Sequence, residues 1–158
     1  MKTVTILGLD ASKTTTIITE LNSLLASFQT YYQNLRGIHW NIKGKRFFEL
    51  HVKFEELYTD ATIKVDDIAE RILTLGGIPL HTFEDYLRHN KVRVGKNITN
   101  DEKSVELILD SLSALLQLER KVLELSDVAN DEGTNALMSG FIAEQEKTIW
   151  MMQSWLDK

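Results

Sequence analysis

Two histidines and three carboxylates are placed in this chain at intervals that could bind a metal ion. His39 is followed twelve residues later by His51, and then come Glu55, Asp66 and Glu70. Asp66 and Glu70 are four residues apart, as are His51 and Glu55, so on a helix each pair would lie side by side. Imidazole nitrogen and carboxylate oxygen suit iron or a similar divalent metal. The chain has no cysteine, which excludes disulfides and thiolate chemistry.

These two pairs cannot form one site within a single helix. His51 and Asp66 are 15 residues apart, which is about 22 Å along a helix axis. An antiparallel copy of the same helix, related by a two-fold axis, would bring the His51 end of one chain beside the Glu70 end of the other. The spacing therefore predicts two equivalent sites per dimer, each shared between chains. The absence of a Glu-x-x-His motif points the same way, because the di-iron site within an ordinary bundle uses that motif.

Four long helices are expected to position these residues. The chain has one proline, Pro79, and eight glycines, so few tight turns are available. Apolar residues recur at three- and four-residue spacing in four segments. These run from near Ser12 to no further than Gly44, from about Arg46 to Leu75, from after Thr99, and from Glu132 to Leu156. Thr99 with Glu102 is a possible capping box for the third helix, and Asp131 is a plausible cap for the fourth.

The link between the second and third helices is the long one. It includes residues from His81 to Asn100 and is expected to contain a short helix around Phe83 to Leu87. One long crossover between short links favours a ferritin-like four-helix bundle over a plain up-down bundle. We therefore predict an all-α fold of this type, formed by one domain spanning residues 1–158.

The second helix presents three faces when its residues are sorted at about 100° each. An apolar stripe is expected to pack in the bundle core and comprises Phe47, Leu50, Phe54, Leu57, Tyr58, Ala61, Val65, Ile68 and Ile72. A charged stripe of mixed sign is expected to be solvated and comprises Glu49, Lys53, Glu56, Asp60, Lys64, Asp67 and Arg71. The third, here called the mixed face, comprises Phe48, His51, Val52, Glu55, Thr59, Thr62, Ile63, Asp66, Glu70 and Leu73.

The mixed face predicts a second, partly buried contact. Burying its carboxylates without partners would cost several kcal/mol, and a bound cation would remove that cost. The alternative is a face that only mediates contact between two chains. His39 also has two interpretations, since it falls near the angular position of Phe28 on a buried seam. A histidine there is more often a hydrogen-bonded core residue than a metal ligand.

Composition limits the possible functions. The 158 residues carry 18 Lys+Arg and 23 Asp+Glu, a formal charge of −5, which excludes a basic nucleic-acid module on net charge. With 43% hydrophobic and 26% charged residues, a folded globular protein is expected. No apolar run approaches the roughly 18 residues of a membrane span, and Val4 to Leu9 is too short for a signal peptide. We therefore expect a cytoplasmic protein without a membrane partner.

The chain resembles the Dps family, the miniferritins named as DNA-binding proteins from starved cells. The resemblance rests on His39-Trp40, Phe47-Phe48, His51, Glu55 and the run from Asp66 to Arg71. It extends through the crossover to the segment from Ile149 to Met151. It implies a hollow homododecamer that oxidises Fe(II), preferably with hydrogen peroxide, and stores ferric mineral as protection against oxidative damage.

The resemblance also implies a ligand set. His39, His51 and Glu55 of one chain would face Asp66 and Glu70 of the other, around one or two iron ions at a two-fold interface. Glu55 would bind iron directly or through water. Trp40 would mainly pack beside the site, or alternatively serve as an electron donor or radical sink.

Two further expectations follow from the same family. Asp127, Asp131 and Glu132 lie where relatives form an acidic three-fold pore, although capping and solvation explain them equally well, and Ala136 stands where many relatives add another aspartate. The alternative function is DNA compaction. We expect no direct DNA binding, because the first twelve residues hold only Lys2 and twelve chains at −5 sum to −60. The one local basic cluster is Arg88, Lys91, Arg93 and Lys96.

Overall fold

The computed structural model describes residues 2–157. Within that range the chain is helical, with no strand. Its helices are α1 (Lys2–Ile6), α2 (Ala11–Asn41), α3 (Phe47–Thr74), α4 (Phe83–His89), α5 (Asp101–Ala129) and α6 (Glu132–Leu156). The predicted four long helices and the short crossover helix are confirmed as α2, α3, α5, α6 and α4. The short α1 was not predicted from the sequence; it docks through Val4, which is buried.

Side-chain caps determine where most of the helices begin. Asp10 accepts hydrogen bonds from the backbone of Ser12 and Lys13 at the start of α2, and the Ser12 hydroxyl bond is the main reason that the pKa of Asp10 is lowered. Asp131 caps α6, as the sequence predicted. The predicted capping box at Thr99 is wrong. Asn100, one residue later, caps α5 by accepting from the Lys103 N–H.

The end of α3 shows why a glycine is needed there. Gly76 has φ of 79°, in the left-handed region that side chains with a Cβ avoid. Its N–H donates to the Leu73 oxygen, and the Gly77 N–H donates to the Ile72 oxygen. These two bonds form a Schellman motif that satisfies the last carbonyls of the helix. The chain then turns away toward Pro79 and the crossover.

Polar side chains of α2 hold the crossover against the bundle. Asn22 bonds to the backbone of Ile78 and Leu80, and the Ser27 hydroxyl accepts from the Lys91 N–H. Buried Asn34 donates to the Arg93 oxygen at 2.8 Å and accepts from the Gly95 N–H at 2.8 Å. A long segment without regular structure is thereby fixed, because its backbone groups are paired with side chains.

The core is a continuous apolar cluster between the four long helices. The apolar stripe of α3 contributes to it as predicted, with Phe54 and Ile68 fully buried. The prediction that the charged stripe is solvated is wrong at Lys64, which is buried and paired with Asp60 and with Glu144 of α6. None of the helices within residues 2–157 has the length and apolar character of a membrane span.

Candidate metal centre

The two predicted histidine ligands lie directly on each other. His39 is near the end of α2 and His51 is in the first turns of α3, and their rings stack with centroids 3.8 Å apart. The Nδ1 atom of His39 lies 2.8 Å from the backbone oxygen of His51. The Nδ1 atom of His51 lies 2.9 Å from the backbone oxygen of His39. The connection between α2 and α3 is thus closed by two reciprocal hydrogen bonds.

These bonds determine the tautomer of both rings. A backbone carbonyl can only accept, so each Nδ1 must carry the proton and donate it. The Nε2 atom of each neutral ring then keeps its lone pair, which is the form that binds a metal ion. A ligand histidine typically has its other nitrogen bonded in this way. His39 is therefore a buried, hydrogen-bonded residue, as the first interpretation expects, and its Nε2 lone pair still permits the second, that of a metal ligand.

Aromatic residues hold the histidine pair in place. Phe47 stacks on His51 with centroids 4.9 Å apart, and Tyr58 meets His39 edge-on at 5.3 Å. Desolvation and the charge of Glu55 raise the pKa of Tyr58, so its hydroxyl stays protonated. The sequence placed Tyr58 in the apolar stripe, and only the structure shows that it contacts His39.

The carboxylates Asp66 and Glu70 lie further along the same unbroken helix and are exposed. Within residues 2–157, neither side chain has a hydrogen bond or an ion pair. They share the mixed face with large apolar side chains, of which Phe48 is 83% and Ile63 58% exposed. Val52 and Leu73 are also more than half exposed. The mixed face is therefore an open apolar surface with carboxylates at one end and histidines at the other.

In the described part of one chain, no three His, Cys, Asp or Glu residues lie close enough together to bind a metal ion. The histidine pair, at the junction of α2 and α3, and the Asp66–Glu70 pair, further along α3, are two separate groups. Each group alone offers too few ligands for a complete site.

Trp40 projects from the same end of the bundle and is 58% exposed. The Arg36 guanidinium lies over its ring at 4.6 Å and over the Tyr32 ring at 5.2 Å. Tyr32 in turn meets Tyr58 edge-on at 6.2 Å. This row of rings and one cation connects the surface tryptophan to Tyr58, which contacts His39.

The three candidate pore residues differ in their surroundings. Asp127 and Glu132 are exposed, whereas Asp131 is buried. Asp131 accepts from the Arg71 guanidinium at 2.5 Å and from the N–H and hydroxyl of Thr134. Both of its oxygens are thus occupied by the cap and the ion pair. The exposed carboxylates of Asp127 and Glu132 remain available to a passing cation.

The chain is similar in sequence to known proteins. The family model of the Ferritin-like domain matches residues 18–158. Among characterised sequences, the DNA protection during starvation protein of Porphyromonas gingivalis is 38% identical over 157 residues, covering 99% of each chain.

Solved structures agree with the fold. The crystal structure of a Dps protein from Vibrio cholerae, described as a member of a broad superfamily of ferritin-like diiron-carboxylate proteins, has a TM-score of 0.93 and 47% identity. It matches over 94% of each chain. Dps from Staphylococcus aureus has a TM-score of 0.87 and 33% identity over 90% of this chain and 95% of its own. The predicted ferritin-like four-helix bundle is thereby confirmed.

Proposed function

Because the chain belongs to the Dps family of ferritin-like proteins, we propose that it is a ferroxidase that oxidises Fe(II), preferably with hydrogen peroxide. Membership of the family supports a role in iron storage and in protection during starvation. The main support within the chain is the stacked pair His39 and His51, whose reciprocal hydrogen bonds leave both Nε2 atoms as electron-pair donors.

Each site is shared between two chains of a two-fold dimer. The exposed, apolar mixed face supports this, since such a surface is typical of an interface with another protein. Antiparallel packing of two α3 helices would set Asp66 and Glu70 of one chain opposite the histidines of the other. Glu55, one turn after His51 on α3, would complete the ligands. Twelve such chains would form a shell of about 217 kDa, from 12 × 18.1 kDa.

The donor set fits the chemistry of iron as a substrate. Carboxylate oxygens favour Fe(III) over Fe(II), which assists oxidation, while neutral imidazoles tolerate both states. Two Fe(II) each give one electron to one hydrogen peroxide, whose O–O bond breaks, and two protons complete two water molecules. No hydroxyl radical is released when both electrons are delivered together. The Fe(III) is then stored inside the shell as ferric oxyhydroxide.

Two parts of the proposal concern residues outside the ligand set. Asp127 and Glu132, exposed beside the α5–α6 turn, would attract Fe(II) at a three-fold pore, while Asp131 holds the turn through Arg71. Trp40 would supply an electron, by way of the Arg36–Tyr32–Tyr58 row, if a site holds only one Fe(II).

The charges of the chain disfavour direct DNA binding. The shell would carry about −60 before iron enters, from 12 × −5. Of the four residues in the basic cluster, Arg88 is paired with Glu84 and Arg93 with Asp110. Few cations are left to neutralise phosphates.

Mixed shells test whether the sites are shared. One variant lacks the histidines, His39→Ala/His51→Ala, and the other lacks the carboxylates, Asp66→Ala/Glu70→Ala. Each assembled alone is expected to lose peroxide-driven Fe(II) oxidation, followed by stopped-flow absorbance. Random co-assembly in equal amounts makes half of the dimers mixed, and each mixed dimer contains one intact shared site. About one quarter of the wild-type rate should therefore return.

Asp67→Asn, which changes the neighbouring residue on the charged stripe, is the control for the carboxylate variant. Shells assembled from Asp67→Asn alone should oxidise iron at the wild-type rate. Mixed shells that stay inactive, although both chains are present in them by mass spectrometry, would contradict the shared site. Full activity in either variant alone would contradict the ligand assignment.

A further inference from the structure

One glutamate, Glu119, has its carboxyl group buried inside the bundle and is not part of the mixed face. Glu119 of α5 is completely buried, and its Oε1 accepts a hydrogen bond from the amide nitrogen of buried Gln145 on α6. The other oxygen of each side chain, Glu119 Oε2 and Gln145 Oε1, has no partner in the described chain and no access to solvent. Buried polar atoms without partners are rare, because each costs about 1–3 kcal/mol.

A single proton would satisfy both of these atoms. A carboxylate and an amide that face each other have three oxygens and only one NH₂ group. One contact between them is therefore N–H···O, and the other joins two oxygens that cannot bond without a hydrogen. Reversing the orientation of the Gln145 amide gives the same count. A protonated Glu119 supplies the missing hydrogen in either orientation.

The surroundings of the pair favour the neutral acid. Desolvation raises the pKa of Glu119 to about 7, against the lowering effects of Gln145 and of the charges of Lys64 and Arg120. Neither cation is free to neutralise a carboxylate. The Lys64 ammonium bonds to Asp60 and Glu144 at 2.6 and 2.7 Å, and Arg120 is paired with Glu146 at 2.6 Å.

We propose that Glu119 is protonated and forms a cyclic pair with Gln145, in which the acid hydroxyl donates to the amide oxygen. This pair joins α5 to α6 inside the bundle. Loss of the proton leaves a buried charge opposite an amide oxygen, so the pair is a proton-binding site that couples subunit stability to pH. It does not depend on the iron site, whose residues lie on α2 and the mixed face of α3.

The direction of the coupling follows from the two pKa values. The pKa of an unfolded glutamate is 4.5 and that of Glu119 in the fold is about 7, so the folded chain binds more protons between these values. The free energy of unfolding therefore falls as the pH rises from about 4.5 to above 7. A shift of this size corresponds to roughly a 300-fold change in the equilibrium constant of each chain.

Infrared difference spectroscopy on the assembled protein tests the proton directly. The difference between wild type and Glu119→Gln at about pH 5 should contain the C=O stretch of one hydrogen-bonded carboxylic acid per chain. Glu124→Gln, an exposed acid on the same helix, is the matched control. The difference between wild type and Glu124→Gln at the same pH should lack the band of this buried acid. Absence of a Glu119-dependent band at about pH 5 would overturn the proposal.

A second variant tests the surroundings without altering the pair. Lys64→Met removes a positive charge that lowers the pKa of Glu119, so the acid band should persist to higher pH than in wild type. An unchanged midpoint in the pH titration of this band would contradict the proposed environment.

Thermal unfolding midpoints give an independent result. Glu119→Gln mimics the neutral acid and should match or exceed wild type above about pH 8. A lower midpoint for Glu119→Gln at that pH would show that the charged form stabilises the fold, and would overturn the proposal.

Discussion

His39 and His51 each donate from Nδ1 to the other residue's backbone oxygen, at 2.8 and 2.9 Å, while their rings stack. The two histidines are therefore one unit, although they belong to different helices. Replacing either one removes a candidate ligand and the ring on which the other stacks, while the bond from the remaining Nδ1 to the backbone oxygen is kept. Both Nδ1 atoms are used in these bonds, which leaves the two Nε2 atoms as the candidate ligand atoms.

The first prediction concerns this coupling. His39→Ala and His51→Ala should each weaken Fe(II) binding at least about tenfold, and the double variant should be little worse than either, because each ring loses the stacking partner that helps to orient it. Anaerobic calorimetric titration with Fe(II) measures this. His81→Ala, which changes an exposed histidine in the crossover, should bind as wild type does. Effects of the two single variants that simply add would contradict the coupling.

The second prediction concerns the mixed face. Ile63→Glu places a charge in the centre of this exposed apolar surface, next to the carboxylates, so packing of two α3 helices should be disfavoured by several kcal/mol. Size-exclusion chromatography with light scattering should show loss of the assembly of about 217 kDa. Gln117→Glu makes a similar charge change on the exposed side of α5 and should leave the size unchanged. An intact shell for Ile63→Glu would place the dimer contact elsewhere.

The third prediction separates capping from iron entry. Asp131→Ala removes the α6 cap and leaves the partly buried Arg71 without its carboxylate, so it should lower the free energy of unfolding by about 3 kcal/mol. Asp127→Ala changes an exposed side chain and should cost less than about 0.5 kcal/mol. Chemical denaturation measures both.

Iron entry should depend on the exposed Asp127 and Glu132 and not on the buried Asp131, the opposite of the order expected for stability. Asp127→Asn/Glu132→Gln is expected to slow mineral formation at low Fe(II) while leaving stability and anaerobic binding unchanged, because only the attraction at the pore is weakened. Unchanged uptake in this double variant would rule out the α5–α6 turn as the entry route.

The fourth prediction is that the shell does not bind DNA directly. With a charge near −60 and two of the four loop cations already paired, duplex DNA should migrate freely beside the protein at low salt and neutral pH. A gel-mobility experiment measures this, and Lys91→Glu/Lys96→Glu serves as the control for the basic cluster. Retardation that is present in wild type and lost in this variant would restore the DNA-compaction alternative.

The sequence by itself determined the helices and the spacing of the candidate ligands. Apolar periodicity gave the four long helices to within a few residues, because each must bury one continuous stripe. The offsets of His51, Glu55, Asp66 and Glu70 also follow from sequence, since the geometry of one helix fixes them. The fold and the division of the candidate ligands into two groups were therefore predictable.

The tertiary structure decided which polar groups meet across helices. Lys64 belonged to a charged stripe, Asp131 to a candidate pore and Glu119 to no motif, yet all three are buried with partners from other helices. No periodic pattern reveals such pairs, because the partners are 26 to 80 residues apart and approach only when the helices pack. The histidine tautomers were likewise settled by two backbone carbonyls that the fold brings within hydrogen-bond distance.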